Sequence, residues 1–172
     1  HHFAELGADA HGVRVWDRTS AEDATLAAEV ASADLVYLSG GKPGYLADVL
    51  EATPVWEAIA DVTARGGLLV GCSAGAMIQG ERFLGGIRPR AGFGLWPGVH
   101  VVPHFDEIPA ALVATMRLAV GREHTVVGVN GDTALLHDGE EIRVIGDEVT
   151  VWSPTERSVH GPGPLPADLL PG

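Results

Sequence analysis

The stretch LLVGCSAGA at positions 68–76 decides the fold, because it joins a short apolar run to the frame G-x-S-x-G. Ser73 is the central residue of the frame, and the small residues after it suit a helix. Strand, sharp turn and helix in this order are the pattern of a nucleophile elbow, whose central residue lies exposed on a strained backbone. Cys72, the only cysteine of the chain, comes one position too early for that role. We therefore expect Ser73 at the turn and Cys72 pointing toward the sheet as a small buried side chain.

Strand and helix patterns alternate on both sides of this stretch. Strands are predicted at 12–17, 33–39, 68–71, 99–102 and 125–129, and helices at 20–31, 45–50, 54–64, 74–79 and 108–120. Short strands are predicted over 133–152, and the Gly- and Pro-rich residues 83–98 are predicted to form a long surface loop near the site. This alternation predicts an α/β fold with a mainly parallel sheet flanked by helices.

Composition limits the class of protein and its partners. The length of 172 residues predicts a single domain over 1–172, with a Pro- and Gly-rich, loosely attached tail at 153–172. The net charge of −12 argues against nucleic acid and anionic membranes as partners, and no apolar run has the about 20 residues of a membrane-spanning helix. One cysteine and scattered histidines predict neither a disulfide nor a metal site. These features suit a cytoplasmic protein.

Residues with useful chemistry stand at the predicted ends of several strands. The carboxyl ends of the strands form the usual binding edge of an α/β sheet, and Gly40-Gly41, Ser73 and His104 all fall there. A serine hydroxyl needs a base to take its proton and backbone N–H groups to bind the oxyanion. We expect His104 to be the base, with the N–H of Ala74 as one donor and the pair Gly40-Gly41 as the source of another.

The acid that would orient the histidine is left open by the sequence. Glu81 is the only carboxylate between the serine and the histidine, and Asp106, Glu107 and Asp132 are the alternatives further along the chain. A solvent-exposed carboxylate at a helix end is the competing interpretation of Glu81.

Four blocks of the sequence resemble the serine peptidase family that includes aspartyl dipeptidase (dipeptidase E) and cyanophycinase. The blocks are ADLVYLSGGKPGYLADVL, GGLLVGCSAGAMIQGE, VVPHFDE and VVGVNGDTALLHDG, in the order of the family between residues 33 and 139. The resemblance implies a class I glutamine amidotransferase-like, flavodoxin-like three-layer fold, and a cofactor-free hydrolase of small peptides or isopeptide-like bonds. It implies Ser73 as nucleophile, His104 as general base, and the N–H groups of Gly41 and Ala74 as the oxyanion hole.

The chain departs from the pattern of that family in two places. Members usually begin with a strand and a helix, of which this chain has only the segment HHFAELG at positions 1–7. We therefore expect a sheet without the usual N-terminal strand. The peptidases of the family place the acid of the triad in the loop between serine and histidine, and residues 83–98 hold no carboxylate. The expectation is either Glu81 or a Ser–His pair that works without an acid.

The leading hypothesis is a serine hydrolase of small peptides, resembling a dipeptidase or aminopeptidase, with a preference for acidic residues. Gly40, Arg88 and Arg90 are expected to contact the substrate, since a cationic loop over a serine site can bind a carboxylate. A thiol-dependent glutamine amidotransferase fits less well, because the central position of the frame is serine. The alternative from another class is a non-catalytic or diverged domain that binds a small ligand or a partner. A homodimer is a further hypothesis.

Overall fold

The structure, a computed structural model, describes residues 2–85 and 88–171. Its helices are α1 (His2–Glu5), α2 (Arg18–Ala21), α3 (Ala24–Ala31), α4 (Pro43–Leu50), α5 (Pro54–Ala64), α6 (Ala74–Met77) and α7 (Ala110–Val120), and Phe105–Glu107 forms a 3₁₀ turn. Its strands are β1 (Leu35–Leu38), β2 (Leu68–Gly71), β3 (Arg82–Leu84), β4 (Pro89–Ala91), β5 (Val99–Pro103), β6 (Thr125–Val129), β7 (Ala134–His137), β8 (Ile142–Ile145), β9 (Val149–Trp152), β10 (Arg157–His160) and β11 (Gly163–Pro164). The chain forms two compact units, one running to Val36 and resuming at Asp48–Leu69, the other comprising Tyr37–Ala47 and the residues from Val70 onward.

Helices α3 and α5 pack against each other in the first unit. Val30 of α3 and both Ile59 and Val62 of α5 are buried, so the apolar faces that the sequence predicts form this small core. The Thr53 hydroxyl begins α5 by accepting the N–H of Trp56, which leaves the helix bounds as predicted.

The start of the first unit differs from the prediction in two ways. The strand predicted at 12–17 is wrong, because no described strand pairs with these residues and an isolated strand has no ladder to stabilise it. The predicted helix over 20–31 is two helices. Asp17 and Ser20 form a capping box that begins α2, and Asp23 caps α3 by accepting the N–H groups of Thr25 and Leu26. Ser20, the first residue of the predicted helix, is therefore the third residue of α2.

A four-stranded sheet in the order β10-β9-β6-β5 forms the centre of the second unit. Strands β5 and β6 run parallel, and β9 and β10 add to them antiparallel. One face of the sheet packs into a cluster of buried valines with Leu165 and Leu170. The predicted loose attachment of the tail at 153–172 is therefore wrong over its described part, since both leucines are only 7% exposed and β10 and β11 belong to sheets.

The other face of this sheet packs against α7 and the 3₁₀ turn. Val102, Phe105, Val120 and Val126 form the buried cluster there. Gly128 of β6 lies directly beneath the ring of Phe105, because a Cβ at this glycine would come 2.7 Å or less from the ring carbons. The position of the 3₁₀ turn is thus fixed by the sheet below it.

Short antiparallel pairs complete the second unit. β7, β8 and β11 form a three-stranded sheet. The predicted loop at 83–98 instead contains the pair β3–β4, and its positions 86 and 87 lie outside the described residues. Strands β1 and β2 are neighbours in a further sheet, where the N–H of Cys72, just after β2, donates to the carbonyl of Leu38 at 2.9 Å.

The predicted α/β class is confirmed, with helices and a sheet that contains the parallel pair β5 and β6. Within residues 2–85 and 88–171, no helix has the length and apolar character needed to cross a membrane.

Candidate active site

Ser73 occupies the sharp turn between β2 and α6. Its φ of 53° and ψ of −111° lie outside the regions that residues with a Cβ ordinarily adopt. Hydrogen bonds from the first turn of α6 hold this conformation: the N–H groups of Ala76 and Met77 both donate to the Ser73 carbonyl at 3.0 Å. The backbone is therefore strained at the one residue for which the elbow pattern predicts strain.

The two outer glycines of the frame are required by close packing. A Cβ at Gly75 would lie against the carbonyl oxygen of Leu38 and 2.8 Å from the Leu38 Cβ. A Cβ at Gly71 would lie against the carbonyl of Gly75 and the side chain of Gln79. Without side chains at these two positions, the backbone of α6 can approach β1 and β2 closely enough to form the elbow.

The glycine pair after β1 lies beside the serine. A Cβ built on Gly40 would be 3.3 Å from the Ser73 Cβ and 3.7 Å from the Ser73 Oγ. Gly41 follows with a φ of 145°, a conformation that favours glycine. Within the described residues, neither the N–H of Gly41 nor that of Ala74 donates a hydrogen bond to another residue. Both N–H groups are thus available to a ligand near the serine hydroxyl.

His104 follows β5 directly and begins the 3₁₀ turn. Its φ of 54° and ψ of 39° are left-handed, and its side chain is exposed. Strand β5 packs against α6, the helix that begins after Ser73. The Phe105 ring, anchored over Gly128, holds the residue next to His104 in place. A strained conformation in an exposed, firmly supported histidine is typical of functional positions.

Glu81 lies in a different environment from the one that a triad acid needs. The N–H of Gly98 donates to its Oε2 at 2.6 Å, and its Oε1 is 4.0 Å from the Nδ1 of His124. Within residues 2–85 and 88–171, no hydrogen bond joins its carboxylate to the His104 ring. The role of Glu81 as the orienting acid stays a prediction. Asp106 accepts the N–H of Gly131 at 2.7 Å instead.

The two arginines of the loop differ in their placement. Arg90 donates from Nη1 to the carbonyl of Gly44 at 3.3 Å and lies over the Phe83 ring, 5.8 Å from its centre. This places its guanidinium at the first turn of α4, the helix that follows Gly40 and Gly41 in the chain. A side chain at Gly44 would crowd the guanidinium, because its Cβ would be 2.9 Å from Nη1. Arg88 is exposed just before β4.

Gly44 was not identified from the sequence; it belongs to the run GGKPG and is the second residue of α4, one residue before the predicted start of this helix. Tyr37 was missed as well. A hydrogen bond with the Cys72 thiol raises the pKa of Tyr37, with burial as a second cause. The expected burial of Cys72 is wrong, because its side chain is exposed beside this tyrosine on the strand face.

His100, in the middle of β5, is the most buried histidine of the second unit among the described residues. It is 2% exposed, and neither ring nitrogen has a partner within the described structure. Burial is the main reason why the pKa of His100 is lowered to about 4, and the neighbouring His124 and Arg82 contribute to the same shift. His100 is therefore a neutral core residue near pH 7. In the described ranges, no three His, Cys, Asp or Glu side chains are grouped so that they could hold a metal ion.

Comparisons with known proteins identify relatives of the chain. The sequence profile of Peptidase family S51 matches residues 1–145. The cyanophycinases of Trichormus variabilis and of a Nostoc species are both 28% identical to the chain in alignments that cover 90% of this chain and 57% of theirs. The chain thus spans little more than half the length of these relatives.

Two solved structures are similar to the chain. The crystal structure of a peptidase from an acI-B1 Actinobacterium is 30% identical, with a TM-score of 0.81 over 92% of this chain and 69% of that one. A candidate Peptidase E protein from Listeria monocytogenes is 16% identical, with a TM-score of 0.61 over 83% of this chain and 73% of that one, and shows the fold alone. The family resemblance of the sequence is confirmed: the chain belongs to Peptidase family S51, a family of serine-type peptidases.

Proposed function

We propose that the chain carries the active site of a serine peptidase that cleaves small peptides. The observation that supports this most is the position of Gly40, whose Cβ would lie 3.7 Å from the Ser73 hydroxyl. It brings the glycine turn, the strained serine and the N–H of Ala74 into one place. A site with a nucleophile and unpaired backbone donors side by side is suited to acyl transfer.

In the proposed reaction, the Ser73 Oγ attacks the carbonyl carbon of the scissile amide while His104 takes the hydroxyl proton. The negative charge that develops on the carbonyl oxygen accepts hydrogen bonds from the N–H groups of Gly41 and Ala74. The C–N bond then breaks, and the histidine returns its proton to the leaving amine. Water, activated by the same histidine, hydrolyses the acyl ester and restores the serine.

Arg90 is the proposed source of specificity. Its guanidinium contacts the carbonyl of Gly44, four residues after Gly40, so a substrate held at the glycine turn has a cation close by. An arginine pairs well with a carboxylate, which supports a preference for an acidic side chain or a terminal carboxylate in the substrate. Arg88 is the second proposed contact of this kind.

For Glu81 the observed contacts favour a positioning role. A carboxylate that accepts a hydrogen bond from the N–H of Gly98 holds the turn just before β5, the strand that ends directly before His104. Gln in place of Glu81 keeps a neutral acceptor at this N–H. The variant therefore separates the two roles. If Glu81 orients the histidine, the change should abolish that function and lower kcat strongly. If Glu81 only holds the turn at Gly98, the hydrogen bond is weakened and kcat changes little.

The test is hydrolysis of a dipeptide panel by the wild type and by Ser73→Ala, His104→Ala and Cys72→Ala. We expect turnover that falls at least about 10³-fold in the serine and histidine variants, as is usual for removal of a nucleophile or its base. Cys72→Ala should keep full activity. Turnover that depends on Cys72 would indicate a thiol enzyme, and a folded wild type without turnover on any dipeptide would favour a binding domain.

A further inference from the structure

The 3₁₀ turn at Phe105–Glu107 is joined to the turn that follows β6 by the side chain of Asp106. This aspartate, the middle residue of the 3₁₀ turn, accepts the N–H of Gly131 on its Oδ1 at 2.7 Å. A hydrogen bond to a carboxylate is shorter and stronger than one between neutral groups. The two residues are 25 positions apart in the chain, and both lie in the second unit. The bond therefore fixes one loop against another.

His104, the proposed base, depends on this turn for its conformation. Its left-handed φ of 54° and ψ of 39° are uncommon for a residue with a Cβ. Its side chain is exposed, so burial does not hold it. Its carbonyl accepts the N–H of Glu107 at 3.1 Å, which makes the backbone of His104 part of the turn. Any contact that holds the turn consequently holds the base as well.

Contacts at two neighbouring residues hold the turn. Phe105 points into the core, where its ring covers Gly128. Asp106 is exposed and reaches Gly131, which follows soon after Gly128 at the end of the same strand. The Phe105 ring alone would leave the turn able to rotate about the ring. The bond from Gly131 supplies a second point that prevents this rotation.

The turn that contains Gly131 is itself held firmly. The Thr133 hydroxyl donates to the carbonyl of Gly131 at 3.0 Å and accepts the N–H of Asp147 at 3.2 Å. On the other side, a Cβ at Gly146 would overlap the carbonyl oxygen of Asp132, so the turns after β6 and β8 pack backbone against backbone. Gly131 is therefore a fixed donor against which Asp106 can position the 3₁₀ turn.

The contact of Asp106 differs from that of an acid that orients a histidine. Such an acid accepts a hydrogen bond from the imidazole ring. Within residues 2–85 and 88–171, no hydrogen bond joins the carboxylate of Asp106 to the His104 ring, and Oδ1 accepts a backbone N–H instead. Holding a backbone N–H requires an acceptor oxygen but no negative charge. The two roles therefore respond differently to the loss of the charge.

We propose that Asp106 is a positioning residue of the serine site, which fixes the 3₁₀ turn to Gly131 and thereby holds His104 in place. The inference rests on the proposed function, because it assigns Asp106 a part in placing the base of that reaction. A base displaced by about 1 Å loses much of its effect on the rate. The acceptor oxygen of Asp106 is needed for this role, and its charge is not.

Two variants of Asp106 separate the acceptor from the charge. Asp106→Asn keeps an acceptor oxygen and removes the charge, whereas Asp106→Ala removes both. The matched control is Asp138→Ala in the turn between β7 and β8, which holds no proposed site residue. Asp138 is also an exposed aspartate that accepts backbone N–H groups, those of Glu140 at 3.0 Å and Glu141 at 2.9 Å. The control therefore removes a similar hydrogen-bonded turn elsewhere.

The first measurement is the hydrolysis of a dipeptide, with kcat and KM determined separately. We expect Asp106→Ala to lower kcat by about tenfold or more and to change KM less than about threefold, since the lost contact acts on the base and not on substrate binding. Asp106→Asn should restore kcat to within about threefold of the wild type. Asp138→Ala should keep the kcat of the wild type.

The second measurement needs no turnover. NMR follows hydrogen exchange of the Gly131 amide and the Cε1–H resonance of His104, which is assigned by its absence in His104→Ala. We expect the Gly131 amide to exchange about tenfold or more faster in Asp106→Ala than in Asp106→Asn, because a hydrogen-bonded amide is protected. The His104 resonance should differ between these two variants, although both lack the charge.

Three results would overturn the inference. If Asp106→Asn loses as much kcat as Asp106→Ala, the charge is required and Asp106 acts as an acid. If Asp138→Ala loses as much, the effect is one of general stability. If Gly131 exchange and the His104 resonance are the same in both variants of Asp106, the clamp does not exist, whether or not the wild type hydrolyses a peptide. A wild type without turnover but with the expected NMR differences would refute the proposed function and leave the positioning of His104 supported.

Discussion

Ser73→Gly should make the protein more stable while it abolishes hydrolysis. The φ of 53° and ψ of −111° at Ser73 cost about 1–3 kcal/mol for a residue with a Cβ. Glycine adopts such a conformation freely, and it loses about 0.5–1 kcal/mol through its greater freedom in the unfolded chain. The balance is a gain of about 1 kcal/mol. For a chain of 172 residues this corresponds to a rise in Tm of roughly 2–4 °C.

The reference for this measurement is Ser73→Ala, which removes the hydroxyl and keeps the strain. Both variants are unfolded with urea, and their free energies of unfolding are compared directly. Ala76→Gly, in α6 with ordinary helical geometry, is the control and should lose about 0.5–1 kcal/mol.

The reasoning is refuted if Ser73→Gly is no more stable than Ser73→Ala. In that case the backbone at position 73 would not be under strain. A gain of the same size at Ala76 would also contradict it.

Three further predictions concern the surroundings of the site. Glu81→Gln should lower the free energy of unfolding by about 1 kcal/mol in urea titrations, because the N–H of Gly98 would then donate to a neutral amide oxygen instead of a partly exposed carboxylate. The kcat of this variant should change less than threefold. A loss of kcat above 100-fold would make Glu81 the orienting acid. The protein should lose stability as the pH falls from about 6.5 to 4, because unfolded His100 binds a proton that the folded residue, with a pKa of about 4, does not. This part of the dependence should vanish in His100→Phe, as Tm measured against pH would show, and an identical pH profile in the variant would contradict it. Gly128→Ala should cost about 1–3 kcal/mol and reduce kcat/KM at least tenfold, since the new methyl group displaces the Phe105 ring; a variant with wild-type stability and kcat/KM would show that this ring does not position the site.

The local signals of the sequence predicted the elbow correctly because its determinants are local. A glycine on each side of the serine is needed for close approach to Leu38 and Gln79, and both requirements can be recognised in the frame itself. The helix at Pro54–Ala64 was predicted with its bounds for the same reason, since Thr53 and Pro54 mark its start.

Predictions that depended on distant partners were less successful. An alternating pattern at 12–17 does not form a strand unless another strand lies beside it, and the described structure has none there. Leu165 and Leu170 looked like parts of a loose tail because their core partners, valines of β5, β6, β8 and β9, are distant in sequence. The exposure of Cys72 likewise depends on which face of β2 is covered.

The part of the candidate site that the sequence predicts from local geometry is the glycine pair beside the serine. Ser73 and Gly40 are brought together as expected, and the N–H groups of Gly41 and Ala74 are unpaired within the described residues. The contact of Glu81 with Gly98 could not be predicted from the sequence. The two residues are brought together by the pairing of β3 with β4, which lie between them in the chain and were predicted to be a loop.

The most direct test of the central claim is the identity of the residue that reacts with a fluorophosphonate probe. We expect intact-mass analysis of the wild type to show one added phosphonyl group, and peptide mapping to place it on Ser73. The same label should appear in Cys72→Ala and be absent from Ser73→Ala. A folded wild type that takes up no label, or a label on any residue other than Ser73, would contradict the account.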